Sequence, residues 1–231
     1  MNWDKEILQK PAWKEEISNR EQKEKIAKKM AQMVQNGDVI GFGSGSTSYL
    51  TAIEIANKVQ NEGLKIIAIP TSYEIKMLCI YLNIPTATIE EKKPDWCFDG
   101  ADEVDSNNWI IKGRGAAMFN EKLNIIASNK TYILVDDSKI VERLGSKFPI
   151  PIECNPKAIN IVKEGLYNLG ANEINLRLAL KKDGPVITEN GNLILDVKFN
   201  NITDNLERAI KNITGVIESG LFIGYNFELI K

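Results

Sequence analysis

No histidine occurs anywhere in this chain. Acid–base work near neutral pH therefore falls to carboxylates, lysines or tyrosines. A zinc site of the usual imidazole-containing kind is excluded as well. Cysteine is scarce: Cys79, Cys97 and Cys154 stand alone, with no Cys-x-x-Cys pair. Cys79 and Cys97 lie in apolar surroundings, Met77-Leu78-Cys79-Ile80 and Trp96-Cys97-Phe98, which reads as buried structural thiols in a reducing compartment. No apolar run approaches the length that crosses a bilayer. Residues 1–20 lack the apolar stretch of a secretory signal, so a cytoplasmic location is expected. No excess of one charge exists either, the formal net charge being −2. The densest basic cluster, Lys23, Lys25, Lys28 and Lys29, is interleaved with Glu21 and Glu24, the pattern of a solvated helix face. Neither nucleic acid nor a membrane is expected as a partner.

What is present suits a folded enzyme-sized body. The 231 residues are 43% hydrophobic and 26% charged, enough for one large domain or two modest ones. Ser18-Asn19-Arg20-Glu21 reads as a capping box before a helix carrying Ile26, Met30, Met33 and Val34. Asn36-Gly37-Asp38 turns the chain into a buried strand, Val39–Phe42. A helix from near Thr47 closes at Gly63, and a strand spans Leu64 to Ile69. Thr71-Ser72-Tyr73-Glu74 is a second capping box, opening a helix that ends near Leu82. Trp96-Cys97-Phe98 is a strand running into Asp99. A helix around Ala116 to Ala127 carries Glu121, and Tyr132 to Val135 is a strand ending at Asp136. Alternating strands and helices imply right-handed crossovers and a mostly parallel sheet. Past Lys147 the rhythm changes. Phe148-Pro149-Ile150-Pro151-Ile152 is extended, Pro156 to Leu169 is helical with Gly170 as its stop, and Ile174 to Leu180 and Leu193 to Val197 are strands around a turn. Thr203 to Asn212 is a helix, and Gly215 to Ile230 holds further extended pieces.

Three segments carry chemistry. In Gly41-Phe42-Gly43-Ser44-Gly45-Ser46-Thr47, glycines let backbone N–H groups converge at a helix N-terminus, which suits a phosphate. A strand-to-helix turn with a Ser/Thr cap is the competing reading. A dinucleotide fingerprint wants glycine where Ser46 stands, and a P-loop wants a lysine that is absent. Asp99-Gly100-Ala101-Asp102-Glu103-Val104-Asp105 follows a strand, where open α/β sheets place their sites. It reads as a ligand-holding pair of carboxylates, as an Mg²⁺ or Ca²⁺ loop, or as a solvated acidic turn. Lys112-Gly113-Arg114-Gly115 holds an anion, polarises a carbonyl, or is an ordinary loop. Glu121 beyond it is a catalytic carboxylate or an exposed residue near a helix start. Their order points to proton transfer on a phosphorylated small molecule.

Taken together, these motifs resemble the type A ribose-5-phosphate isomerases. The resemblance rests on Gly43-Ser44-Gly45-Ser46-Thr47, Asp99-Gly100-Ala101-Asp102-Glu103, Lys112-Gly113-Arg114-Gly115-Ala116-Ala117, Glu121-Lys122 and Asp136-Asp137-Ser138-Lys139. Lys147-Phe148-Pro149 and Gly220-Leu221-Phe222 also fit, and the match runs from about residue 19 to the C-terminus. It implies an α/β fold: a Rossmann-like, mostly parallel sheet flanked by helices, with a smaller α+β (ferredoxin-like) lobe. The expected organisation is an N-terminal extension over 1–18, a Rossmann-like catalytic domain over 19–145, a small lobe over 146–216, and a return to the main domain over 217–231.

The activity implied is interconversion of D-ribose 5-phosphate and D-ribulose 5-phosphate in the pentose phosphate pathway, with no metal and no other cofactor. Glu121 would be the base, with Asp99 and Lys112 as further catalytic residues. Lys23, Ser44, Gly45, Ser46, Thr47, Asp99, Gly100, Ala101, Asp102, Lys112, Gly113, Arg114, Gly115 and Lys139 would line the sugar phosphate. A homodimer or homotetramer is implied. Arg114 departs from the family, which has three glycines after this lysine: either its side chain points away or the anion contacts are altered. The rivals are a non-catalytic sugar-phosphate sensor of the same fold, a deaminase, which would want a histidine, and a CoA transferase subunit, whose glutamate motif is not found.

Overall fold

A computed structural model describes Trp13 and residues 16–231. In chain order the elements are α1 (Arg20–Gln32), β1 (Val39–Phe42), α2 (Ser46–Glu62), β2 (Ile67–Pro70), α3 (Tyr73–Tyr81) and β3 (Trp96–Gly100). Two short strands follow, β4 (Glu103–Val104) and β5 (Ile110–Ile111), then α4 (Met118–Ala127) and β6 (Lys130–Leu134). Next come β7 (Ile150–Cys154), α5 (Ile159–Asn168), β8 (Ala171–Leu176), β9 (Leu193–Phe199) and α6 (Leu206–Lys211). The last strands are β10 (Val216–Ser219), β11 (Leu221–Phe222) and β12 (Glu228–Ile230).

The described residues form two compact units: those up to 100, with 120–137 and 227–231, make the first, and 101–119 with 138–226 the second. The first holds a five-stranded sheet in the order β12-β6-β3-β1-β2, with every pairing parallel. Both faces of a parallel sheet are covered by helices, so its strands read as near-continuous apolar runs. Ile40, Phe42, Phe98 and Leu134 pack in one core with Ile26 and Met30 of α1, Ile55 of α2 and Leu78 of α3. Strand order reverses at β1, whose neighbours are β2 and β3. Such a switch point is where open α/β sheets leave a crevice at the carboxyl ends of their strands.

The second unit contains a four-stranded antiparallel sheet, β10-β7-β9-β8. Its βαββαβ sequence of elements and that strand order are those of a ferredoxin-like lobe. Val162 and Leu166 of α5 and Ile210 of α6 join Ile152, Leu195 and Val197 in its core. A three-stranded sheet, β11-β5-β4, lies in the same unit.

Several local expectations change. Ser18–Glu21 is not a capping box: Asn19 caps α1 in the left-handed region, φ +49°, with no capping side-chain bond. Its side chain donates instead to Asp136 Oδ1 at 2.8 Å. In the second box the cap is Ser72 rather than Thr71, its Oγ accepting from Ile75 N–H at 3.3 Å. The strand expected from Leu64 begins only at Ile67. The run after Asp102 is β4, not a loop. Residues 101–119, expected in the Rossmann-like segment, fall in the second unit because β5 pairs with β11 and β4 with β5 rather than with the parallel sheet. Most of the N-terminal extension, Trp3 included, lies outside the described residues. Trp13 is described, and its ring packs against Tyr49 at 5.6 Å. All three cysteines are buried free thiols. Burial pushes Cys79 up to about 12 and Cys154 up to about 11, the nearby Glu153 charge adding to the latter.

Candidate active site

In the first unit, the loop after β1 turns directly into α2. Gly43 N–H donates to Phe98 O at 2.9 Å. A Cβ on Gly43 would stand 2.3 Å from the Asp99 carboxyl carbon, so glycine here is what lets loop and carboxylate touch. Gly45 caps α2 at φ +96°, a conformation that L side chains rarely adopt. Ser46 and Thr47 form the first turn of α2. Their backbone N–H groups lie at the positive end of a 17-residue helix, a setting that favours anions. Ser44 turns elsewhere: its Oγ donates to Ser72 Oγ at 2.7 Å and lies 2.8 Å from Thr71 Oγ1.

Lys23 arrives from α1. Although 3% exposed, its Nζ donates to Ser46 Oγ at 3.2 Å and to Ser18 Oγ at 3.3 Å, and lies 3.6 Å from Asp136 Oδ2. Helix packing thus places an ammonium on the first residue of α2, twenty-three positions away in sequence. Asp99, 2% exposed, lies in β3 at the switch point and accepts from Gly100 N–H at 2.7 Å. Glu121 lies in the first turn of α4 and is 4% exposed. That burial discards the reading of Glu121 as a solvated helix residue. On the same helix, Asn120 and Asn124 donate to the carbonyls of Thr71 and Ile69, which ties α4 to the end of β2.

The second unit carries the other candidates. Lys112, 3% exposed, follows β5, and its N–H donates to Gly220 O at 2.9 Å. A Cβ on Gly220 would meet Lys112 O at 2.2 Å, so the Gly220-Leu221-Phe222 motif serves close approach of two backbones. Gly113 has φ +100° and Ala116 φ +62°. Arg114 and Gly115 are exposed, and Arg114 N–H donates to Asp102 Oδ2 at 3.1 Å. Ala101 is buried, and Asp102 N–H donates to Ile111 O at 2.7 Å. Lys139 ends a short 3-10 turn with Nζ 5.4 Å from the Phe148 ring centroid, within cation–π range.

The acidic run divides by role. Glu103, fully buried, accepts from the N–H groups of Gly145, Lys147 and Phe148 at 2.6–2.7 Å. Asp105 accepts from Asn107 and Trp109 N–H groups at 2.9 Å. Both carboxylates are therefore committed to holding backbone. Among the described residues no group of three or more His, Cys, Asp or Glu side chains is placed to hold a metal. Thr71, Ser72 and Asp136 were not among the expected site residues. Asp136 ended an expected strand and the Thr71–Ser72 pair opened an expected helix, signals that concern local structure and leave their side-chain partners open.

A family model for ribose 5-phosphate isomerase A (phosphoriboisomerase A) matches residues 67–230. The ribose-5-phosphate isomerase A of Methanocaldococcus jannaschii is 45% identical over 209 residues, 89% of this chain and 92% of the relative. The solved structure of the isomerase from that organism superposes with a TM-score of 0.88 at 42% identity, covering 93% of this chain and 96% of the other. Another, a D-ribose-5-phosphate isomerase in complex with phospho-erythronic acid, gives 0.86 at 39% identity, covering 90% and 93%. The fold and the relatives define an enzyme, an isomerase. The chain belongs to the ribose 5-phosphate isomerase A family.

Proposed function

We propose that this chain interconverts D-ribose 5-phosphate and D-ribulose 5-phosphate through an enediolate, with Glu121 as the base and no metal. The observation that carries this reading is the burial of the Glu121 carboxylate in the first turn of α4, in a family whose members bear this activity in their names. Aldose–ketose isomerisation needs one base that takes a proton from C2 and returns it to C1, and a carboxylate does both without histidine. The loop Ser44–Thr47 with Lys23 receives the phosphate, whose binding energy holds the reacting carbons in place. Asp99, Gly100, Ala101 and Asp102 hold the sugar, and one aspartate assists ring opening. Lys112, the N–H groups of Gly113 and Gly115, and Lys139 meet the oxygens on which charge develops, while the Arg114 N–H holds the Asp102 carboxylate. The ligand of the phospho-erythronic acid complex is a phosphorylated sugar acid, which supports a sugar phosphate as the small-molecule partner here.

The place of this reaction is the non-oxidative pentose phosphate pathway, in the cytoplasm. No helix among the described residues is long and apolar enough to cross a membrane. A homodimer or homotetramer belongs to the same reading. Its support is the edge strand β8, beside which Leu178, Leu180 and Ile187 are exposed by 66%, 95% and 47%.

The deciding experiment is conversion of ribose 5-phosphate to ribulose 5-phosphate in the presence of a chelator. Glu121→Gln is expected to lower kcat on the order of 10²–10⁴-fold with little change in KM. Near-full turnover by the mutant discards Glu121 as the base. Binding of the sugar phosphate without turnover by the unaltered chain turns the reading to a sensor.

A further inference from the structure

Arg177 follows β8 and belongs to none of the motifs that point to the reaction. Its backbone N–H donates to Ile194 O at 2.9 Å, which holds it beside β9. Its Nε donates to Asp196 Oδ2 at 2.8 Å and its Nη2 to Asp196 Oδ1. The fork is thereby fixed on one carboxylate, and Nη1 is turned toward the loop after β5. There it donates to two consecutive carbonyls, Gly113 O and Arg114 O, each at 2.9 Å.

Peptide planarity converts those two bonds into the direction of two N–H groups. In a trans peptide the N–H points opposite to the C=O of the same plane. The plane whose carbonyl is Gly113 O carries the N–H of Arg114, and that N–H donates to Asp102 Oδ2 on the side away from Arg177. The plane whose carbonyl is Arg114 O carries the N–H of Gly115, which is turned away from the guanidinium for the same reason. The loop bends sharply, with Gly113 at φ +100° and Ala116 at φ +62°. Its own backbone bond, Ala116 N–H to Gly113 O at 3.0 Å, leaves the Arg114–Gly115 plane unfixed.

We propose that Arg177 is a positioning residue for the isomerisation: by pinning Gly113 O and Arg114 O it aims the N–H of Arg114 at the Asp102 carboxylate and the N–H of Gly115 away from the guanidinium. This rests on the proposed role of the Lys112–Gly115 segment in stabilising the enediolate. The Arg114 side chain is exposed, while the backbone of that residue is the part in use. A lysine at 177 cannot replace the guanidinium, because one ammonium cannot chelate Asp196 and span two carbonyls as a planar five-donor fork does.

The test compares Arg177→Lys and Asp196→Asn with the unaltered chain. For Arg177→Lys, kcat is expected to fall on the order of 10–100-fold. KM for ribose 5-phosphate should stay within about threefold, since phosphate binding is untouched. Hydrogen exchange of the 113–116 amides should accelerate while β7 and β9 stay protected. Asp196→Asn, which loosens the fork but keeps the guanidinium, should move both readouts the same way by less, and it decides the matter if Arg177→Lys does not fold. A kcat within about twofold of the unaltered chain overturns the proposal, as does a raised KM with kcat unchanged. Failure of the unaltered chain to isomerise ribose 5-phosphate overturns the proposed function instead. In that case unchanged exchange at 113–116 in Arg177→Lys overturns the positioning role independently.

Discussion

Glu103 and Glu121 are both buried glutamates, and their burial means different things. Glu103 gathers three backbone N–H groups from residues 145–148, so its charge is matched by fixed donors and its contribution is to stability. Glu121 sits in a helix's first turn, where exposure is the ordinary state, and is nevertheless enclosed. Glu103→Gln should cost about 2 kcal/mol, since an amide nitrogen then faces donors. That corresponds to a fall in Tm of about 4–8 °C for a chain of this size, measured by calorimetry. An unchanged Tm with lost turnover would instead make Glu103 a site residue. Sequence alone could not separate the two, because Asp99, Asp102, Glu103 and Asp105 are four carboxylates in one short run and only their partners divide them.

At the scale of elements, the β1–α2 turn shows how a strand end becomes a site. Gly43 is needed for space rather than for a left-handed backbone, since a Cβ there would sit 2.3 Å from the Asp99 carboxyl and 2.6 Å from its Cα. Gly43→Ala should therefore push Asp99 off β3's end, lowering kcat/KM by roughly tenfold or more and stability by about 1–3 kcal/mol. Steady-state kinetics and thermal melts check this, and a variant with ordinary kcat/KM would show that Asp99 does not need its present place. Helix starts were legible only in part. The Ser72 cap lies one residue from its expected place, and Asn19 gives its amide to Asp136 instead of to the helix. Capping patterns name residues able to cap, while a buried acceptor elsewhere can claim the same side chain.

For the molecule as a whole, β8 is an edge strand bordered by exposed leucines, a surface that soluble proteins usually cover. The chain of 25.9 kDa should therefore run as a dimer or tetramer in light scattering, and the double change Leu178→Glu with Leu180→Glu should lower that mass. A monomer before any change would discard this interface. The sequence by itself determined the alternation of β1, α2, β2, α3 and β3, and with it the parallel sheet, because apolar period and glycine stops are local signals. Its ordered motifs also pointed to the family. Tertiary structure alone decided that β5 pairs with β11 and β4 with β5, outside the parallel sheet. It alone brought Lys23 to Ser46, enclosed Glu121, and set Arg177 on the carbonyls of Gly113 and Arg114. Each of these depends on contacts between residues far apart in the chain, and side-chain burial and hydrogen-bond partners follow from packing rather than from neighbours in sequence.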